Sequence, residues 1–377
     1  MFINWELTKS LNARRCLLFF VLIIFILYFL SCGPPKRRVI KGGGVLKKTL
    51  FYRADISKIT HITQGPLDKK AGSDIGICSF DVMHIVDPDS GSLKSKIKFN
   101  WTSGVSRPEV IYTDREGYFI IMDRGISGDV GLMDHRGNPL WIYKPKPRVS
   151  LYNMDVGDLD KNGELEFYVA TYKGLHQLSA SGKKQWNKGG WVYDVNIFDP
   201  GDNKAPLAVT HCQDGHIQFR NYEGDLIREI KPKIKIYEES ISEMELVEWA
   251  SQWFIITSVP ALLSSSICVL DLDGNVILRD KVVWSIYDLR TTTIKLYEDQ
   301  APYLAVVVRF AHTYDRSMLC IYSPDRKLFY KEIIKSTTGL LAKKKPGSKC
   351  ETLLVGDGPG RVYEYRPQLK KGEIGSQ

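Results

Sequence analysis

The sequence predicts an all-β fold: a β-propeller, most simply of seven four-stranded blades, with six or eight as the neighbouring possibilities. Three observations predict it. First, one motif recurs through the body of the chain: a short apolar strand, a turn with Gly or Asp, and a second apolar strand. Its copies are MHIVDPDSGSL (83–93), VGLMDHRGNPLW (130–141), GLHQLSASGKKQW (174–186), HIQFRNYEGDLI (216–227), ICVLDLDGNVIL (267–278) and MLCIYSPDRKLFY (318–330). Second, the turn positions Gly91, Gly137, Gly182, Gly224, Gly274 and Arg326 are separated by 46, 45, 42, 50 and 52 residues, a mean step of 47. Third, no stretch of the body sustains a capped 3.6-residue apolar period, so helices are not expected. A step of about 40–50 residues is one four-stranded blade, and residues 46–370 hold about seven such steps.

Residues 16–31, CLLFFVLIIFILYFLS, carry no charge and follow Lys9, Arg14 and Arg15. A bilayer crossing needs about 20 apolar residues and a signal-peptide core about 7–15, so this run lies between the two. Its end, Phe29-Leu-Ser-Cys32, resembles the lipobox of bacterial lipoproteins, which implies that Cys32 is acylated and becomes the mature N-terminus. The usual Leu three positions before the cysteine is Phe29 here. An uncleaved signal anchor is the alternative. Residues 1–31 are therefore expected to be a signal peptide or membrane anchor, and 32–54 a basic tether containing Gly and Pro. The propeller is expected over 55–370 and a disordered tail over 371–377. Six basic residues between 36 and 48 follow the apolar run, against three before it, and by the positive-inside tendency they favour a cytoplasmic body.

The chain carries 52 Lys plus Arg against 43 Asp plus Glu, a formal charge of +9. Residues 1–31 contribute +2 and 32–54 contribute +7, so 55–377 is neutral. The basicity belongs to a stem and not to a folded face, which argues against a nucleic-acid partner. The seven cysteines form no C-x-x-C pair, so zinc ribbons and thioredoxin-like motifs are excluded. They read as small buried hydrophobes in strands. There is no G-x-S-x-G, no P-loop and no G-x-G-x-x-G.

Within the repeats a second element lies upstream of each hairpin. Asp202-Asn-Lys-Ala-Pro-Leu-Ala-Val209 and Asp299-Gln-Ala-Pro-Tyr-Leu-Ala-Val306 are near copies, and Asn162-Gly-Glu-Leu-Glu-Phe-Tyr-Val169 takes the same place in its unit. A glycine turn follows each such strand: Val169 to Gly174, Val209 to Gly215, Val355 to Gly360. Each unit then reads strand, turn, strand, hairpin, strand. The stretch 238–252 is expected to be a loop and strand of an irregular fifth unit.

Asp158-Leu-Asp-Lys-Asn-Gly-Glu-Leu-Glu166 resembles the FG-GAP (VCBS, integrin-alpha-like) repeat, roughly D-x-D-x-[DN]-G-x-x-[DE] before a buried strand. Gly137-Asn-Pro-Leu-Trp141 and Gly182-Lys-Lys-Gln-Trp186 resemble the glycine-to-tryptophan strand of quinoprotein (PQQ-like) propellers, which implies indoles packed between adjacent blades. In the loop itself, Asp158, Asp160 and Asn162 offer side-chain oxygens, Gly163 permits the bend, Glu164 offers a backbone carbonyl and Glu166 a carboxylate. Alternate oxygens around a mid-loop glycine suit a hard cation, so a structural Ca²⁺ is expected here. The loop is not an EF-hand, because its twelfth position is Val169. The competing reading is a polar turn whose Asp and Asn side chains bond the local backbone. The chain lacks the adjacent cysteine pair of PQQ dehydrogenases, and no catalytic residue is assigned.

The expected function is a membrane-tethered, extracytoplasmic, monomeric propeller of the cell envelope that binds a protein or glycan and does no chemistry. The alternatives are an envelope-assembly scaffold, similar to the propeller lipoprotein of the outer-membrane barrel-insertion machinery, and a calcium-dependent polysaccharide-active enzyme.

Overall fold

The computed structural model describes residues 39–40 and 46–368, apart from 57–58, 66, 68–73, 80–81, 101–106, 113–116, 123–127, 148, 202–203, 235–242, 262–263, 283, 312–315, 336, 338, 346 and 359. The signal segment 1–31, Cys32 and the tail 371–377 lie outside the described residues.

Among the described residues every regular element is a strand, and the strands form seven antiparallel sheets. Six blades are continuous in sequence: 61–98, 107–143, 151–188, 192–230, 244–282 and 286–335. The seventh joins 340–367 to a strand from the N-terminal side, Leu46–Arg53. Successive innermost strands touch from blade 3 through blade 7 and on to blades 1 and 2, Leu340–Lys344 meeting His61–Gly65. The innermost strand of blade 3 meets the second strand of blade 2, Gly117–Met122, which closes the ring. The protein is a seven-bladed β-propeller. We call the end at which each innermost strand begins the front, and the opposite end the back.

The burial pattern follows from the stacking of blades. Second strands such as Asp74–Ser79 and Glu166–Thr171 are buried along their whole length, because a neighbouring blade covers each face. Outermost strands such as Pro139–Tyr143 and Lys184–Lys188 are largely exposed. The apolar core is correspondingly divided into seven clusters among the described residues, each lying between neighbouring blades.

The six turn positions read from the sequence are the hairpins between third and fourth strands of blades 1 to 6. All six have positive φ, including Arg326 at +66°. The seventh blade has no such hairpin, because its fourth strand is not covalently continuous with its third. An L-residue with a Cβ is strained in the left-handed region. Arg326→Gly is therefore expected to stabilise the protein by about 0.5–1 kcal/mol in denaturant titration. A loss of stability would mean that the Arg326 guanidinium, 5.8 Å from the Phe254 ring centroid, outweighs the strain.

Trp141 and Trp186 bridge blades. The Trp141 indole N–H donates to Ala180 O at 2.9 Å in the next blade's hairpin, and the ring meets Phe167 edge to face. A Cβ at Gly182 would lie 2.4 Å from this indole, so the hairpin glycine also serves close approach. Trp186 repeats the arrangement one blade on, donating to Tyr222 O at 3.0 Å. Both indoles remain partly exposed. Replacing either by Ala is expected to lower stability by about 2 kcal/mol, below the ~3–5 of a fully buried Trp; a loss under about 0.5 kcal/mol in denaturant titration would make the contact superficial.

The structure corrects the expected boundary at residue 55. Leu46–Arg53 pairs with Arg361–Pro367, from Leu46↔Pro367 to Arg53↔Arg361, and so belongs to the propeller and not to the tether. Leu46 and Tyr52 are buried, and Lys48 lies 3.0 Å from Glu332 and 3.2 Å from Asp357. Upstream, Val39–Ile40 pairs with the outer strand of blade 6. The basic residues of this stretch hide a strand whose apolar positions are sparse.

Candidate metal centre

The loop 158–165 joins the first and second strands of blade 3 at the back of the propeller. Gly163 takes φ +89° with open space around its Cβ direction, and Lys161 takes +57°. The bend there is a backbone requirement, as the sequence implies. Glu166 opens the buried second strand and is only 5% exposed.

The fold brings Asp158, Asp160 and Glu166 together: one carboxylate oxygen of each lies within 4.8 Å of the others. Ligands at 2.3–2.6 Å from a shared Ca²⁺ stand at most about 5 Å apart, so the three fit one ion. Asn162 and Glu164 are exposed. The Asn162 side-chain oxygen accepts from Glu164 N at 2.6 Å, and its amide donates to Asp160 at 2.9 Å. Asp158 accepts from Asn162 N at 3.0 Å and Gly163 N at 2.8 Å. These local bonds belong to a polar turn, and they also hold the carboxylates convergent.

The electrostatics distinguish the site from an ordinary turn. Burial pushes the Glu166 carboxyl up to about 7, against one hydrogen bond from Leu159 N, and the nearby Asp160, Asp158 and Glu164 charges push it further. A divalent cation would reverse that sign. By contrast, Asp271 in the blade 5 hairpin accepts from Asp273 N, Asn275 N and the Asn275 amide, which hold its carboxyl below the usual range. That turn is satisfied by its own backbone. In the loop of blade 6 the Gln300 side chain accepts from Tyr303. Asp202 and Asn203 lie outside the described residues.

The sequence reading missed a second constellation. Asn153, Asp194, Glu243 and Asp288 occupy one equivalent position at the head of four successive innermost strands, and all are at most 8% exposed. Asp194 accepts from the Asn153 amide, Val195 N at 3.0 Å and Met244 N at 2.8 Å. Asp155 accepts from Ile197 N at 2.6 Å, and Arg290 donates to Glu245 at 2.6 Å. The effect is to stitch the innermost strands of blades 3, 4, 5 and 6 each to the next. Burial, and then the Glu243 charge, push the Asp194 carboxyl up to about 7. The signal was present as Leu151-Tyr-Asn-Met, Val192-Tyr-Asp-Val and Ile286-Tyr-Asp-Leu, 41 and then 94 residues apart.

Cys78, Cys212, Cys268 and Cys320 are free and buried in strands, and burial pushes the Cys212 and Cys268 thiols up to about 11. They are packing residues.

No family model matches the sequence, and no curated protein matches it. Two solved structures of BBS1N in complex with ARL6DN are similar to this chain. The one soaked with mercury is 12% identical, covering 88% of this chain and 98% of that one with a TM-score of 0.57. The one soaked with lead is 10% identical, covering 85% and 98% with a TM-score of 0.58. At these identities the likeness is one of fold, and the fold shared is the β-propeller.

Proposed function

We propose that this protein is a non-catalytic propeller that binds a partner through loops on one end, is held at the cell-envelope membrane by its N-terminus, and is stiffened by one calcium ion. The observation that carries the reading is how the buried acidic groups are used. The buried carboxylates of the innermost strands hold strands together, and the one convergent metal-capable trio among the described residues sits on the loop after the first strand of blade 3, at the back. Such an arrangement supplies rigidity, and rigid blades present their loops for recognition. BBS1N, a propeller of similar fold, was solved in complex with ARL6DN.

The tether reading rests on residues 16–32 and on an FG-GAP-like repeat carried behind them. The chain enters the seventh blade at Leu46, opposite Pro367, and therefore at the back of the propeller. The test is intact mass and detergent-phase partitioning of the expressed protein, with and without Cys32→Ala. A mature chain starting at an acylated Cys32, lost in the variant, supports the lipoprotein reading. An unmodified chain retaining Met1 replaces it with a signal anchor and returns weight to a cytoplasmic body.

A further inference from the structure

At the front of blades 3 and 4, away from the metal loop, four partly exposed aromatic rings lie together. Trp191 stacks on Tyr152 at 6.2 Å and 23°, approaches Tyr193 at 5.3 Å and meets Tyr172 edge to face at 6.3 Å. Behind them the buried His211 stacks on Tyr193 at 5.6 Å. Trp191 also forms one wall of a cleft of about 420 Å³ whose other walls include Gly189, Gly190, Gln213, Asp214, Gln218 and Arg220. That volume is in the range of small-ligand sites, about 300–1,000 Å³.

The polar wall is built. Arg220, 8% exposed, donates to Gly224 O at 2.7 Å and to the Gln218 side chain at 2.6 Å. Gln218 in turn donates to Glu229 at 2.6 Å, and His216 bridges Glu229 and Asp214 at 3.2 and 3.1 Å. Arg220 Nε, on this wall, is buried with no hydrogen-bond partner among the described residues. A buried donor without an acceptor is disfavoured, and a ligand hydroxyl would satisfy it. Gly189 spares the guanidinium a close contact: a Cβ there would press within 3.2 Å of it.

We propose that this cleft binds a neutral carbohydrate, one pyranose ring lying on the Trp191 indole with its hydroxyls on Gln213, Asp214, Gln218 and Arg220. A pyranose has an apolar face of C–H groups and a rim of hydroxyls that both donate and accept. The cleft has a flat aromatic surface on one side and both donors and acceptors on the other. Asp214 and Glu229 offset Arg220, so the wall has no excess positive charge for an anionic ligand. The rings pack on one another and do not surround a slot, which disfavours an ammonium cage. Leu207–Cys212 and Ile217–Arg220 are each paired on both sides, so no free edge is offered to an extended peptide. Since the chain enters the propeller at the back, the cleft opens on the opposite end.

This inference rests on the partner-binding reading above and gives it a ligand class. The test is saturation-transfer NMR of the full chain in a detergent without a sugar headgroup, probed separately with cellobiose, maltose, N,N′-diacetylchitobiose and decaproline. The expected result is transfer to the ring protons of at least one disaccharide, weakened about tenfold or more in both Trp191→Ala and Tyr172→Ala, with circular dichroism showing both variants folded. Gln213→Ala, at an exposed position, replaces either variant that fails to fold. Transfer to none of the three sugars, transfer unchanged in the variants, or transfer to decaproline alone overturns the proposal and leaves a protein-binding propeller standing. Monosaccharide signals accumulating from a bound disaccharide would leave the ligand class intact and overturn the non-catalytic reading.

Discussion

A chain beginning at Asp55 is expected not to fold cooperatively, whereas one beginning at Val39 should. The strand Leu46–Arg53 is the fourth strand of the seventh blade, supplied from the N-terminal side, and it pairs the two ends of the described chain within one sheet. Removing it exposes the partners of buried Leu46 and Tyr52, each side chain contributing about 2 kcal/mol. It also breaks the 2.8 Å bond between the Tyr52 hydroxyl and His84, which joins blade 7 to blade 1 as Tyr143 to His176 joins blade 2 to blade 3. Lys48 goes too, and with it an ammonium beside Glu332 and the buried Asp357 carboxylate. Unpairing buried charge adds about 3 kcal/mol or more. The sum exceeds about 5 kcal/mol, comparable to the whole stability of many domains. The measurement is thermal unfolding of the two chains by circular dichroism. The shorter one should lack a cooperative transition or melt at least about 10 °C lower; melting within 2–3 °C of the longer chain would mean the ring closes without this strand.

The architecture was legible because a propeller repeats its backbone demands. Each third-to-fourth hairpin needs a left-handed residue, and that demand writes Gly, or exceptionally Arg326, into the sequence every 47 residues or so. Six hairpins gave an estimate of seven blades only through the length of the body. The seventh blade contributes no hairpin, because its outer strand arrives from the other end of the chain. The same feature misplaced the boundary at residue 55. Leu46–Arg53 carries Lys47, Lys48 and Arg53, which resemble the basic stem before them, and its pairing partner lies over 300 residues away. No local signal encodes that pairing.

The convergence of Asp158, Asp160 and Glu166 was legible because it is local: the three lie within nine residues, and a turn suffices to bring them together. The inner ring and the aromatic cleft are assembled from separate blades. Asn153 meets Asp194, and Tyr152 meets Trp191, only because adjacent innermost strands stand side by side. The Tyr-Asp and Tyr-Asn repeat could have marked the ring positions, since it keeps the blade period, but period alone does not say which face of a strand a residue takes. Trp191 and Arg220 carry no such mark.

Calcium is expected to raise the melting temperature, and the rise should depend on pH in a direction fixed by Glu166. Its ordinary value of 4.5 is raised to about 7 in the folded, metal-free chain, chiefly by burial. The folded state therefore binds more protons than the unfolded state between those values. Stability of the metal-free protein falls as pH rises through that window and levels off above it. Asp194, also raised to about 7, adds the same trend with or without metal, so the difference between calcium and chelator isolates the loop. An ion held at 100 times its dissociation constant stabilises by about 2.7 kcal/mol, or about 5 °C for a chain of this size. Scanning calorimetry with 1 mM Ca²⁺ against EDTA should show that shift at pH 8 and little of it at pH 5, where protonated Glu166 competes with the ion. Asp160→Ala should abolish the difference at both pH values, while Asp271→Ala, in the self-satisfied turn, should leave it intact. A shift independent of pH, or equal in Asp160→Ala, would place any bound calcium elsewhere and return residues 158–166 to the polar-turn reading that their backbone bonds also support.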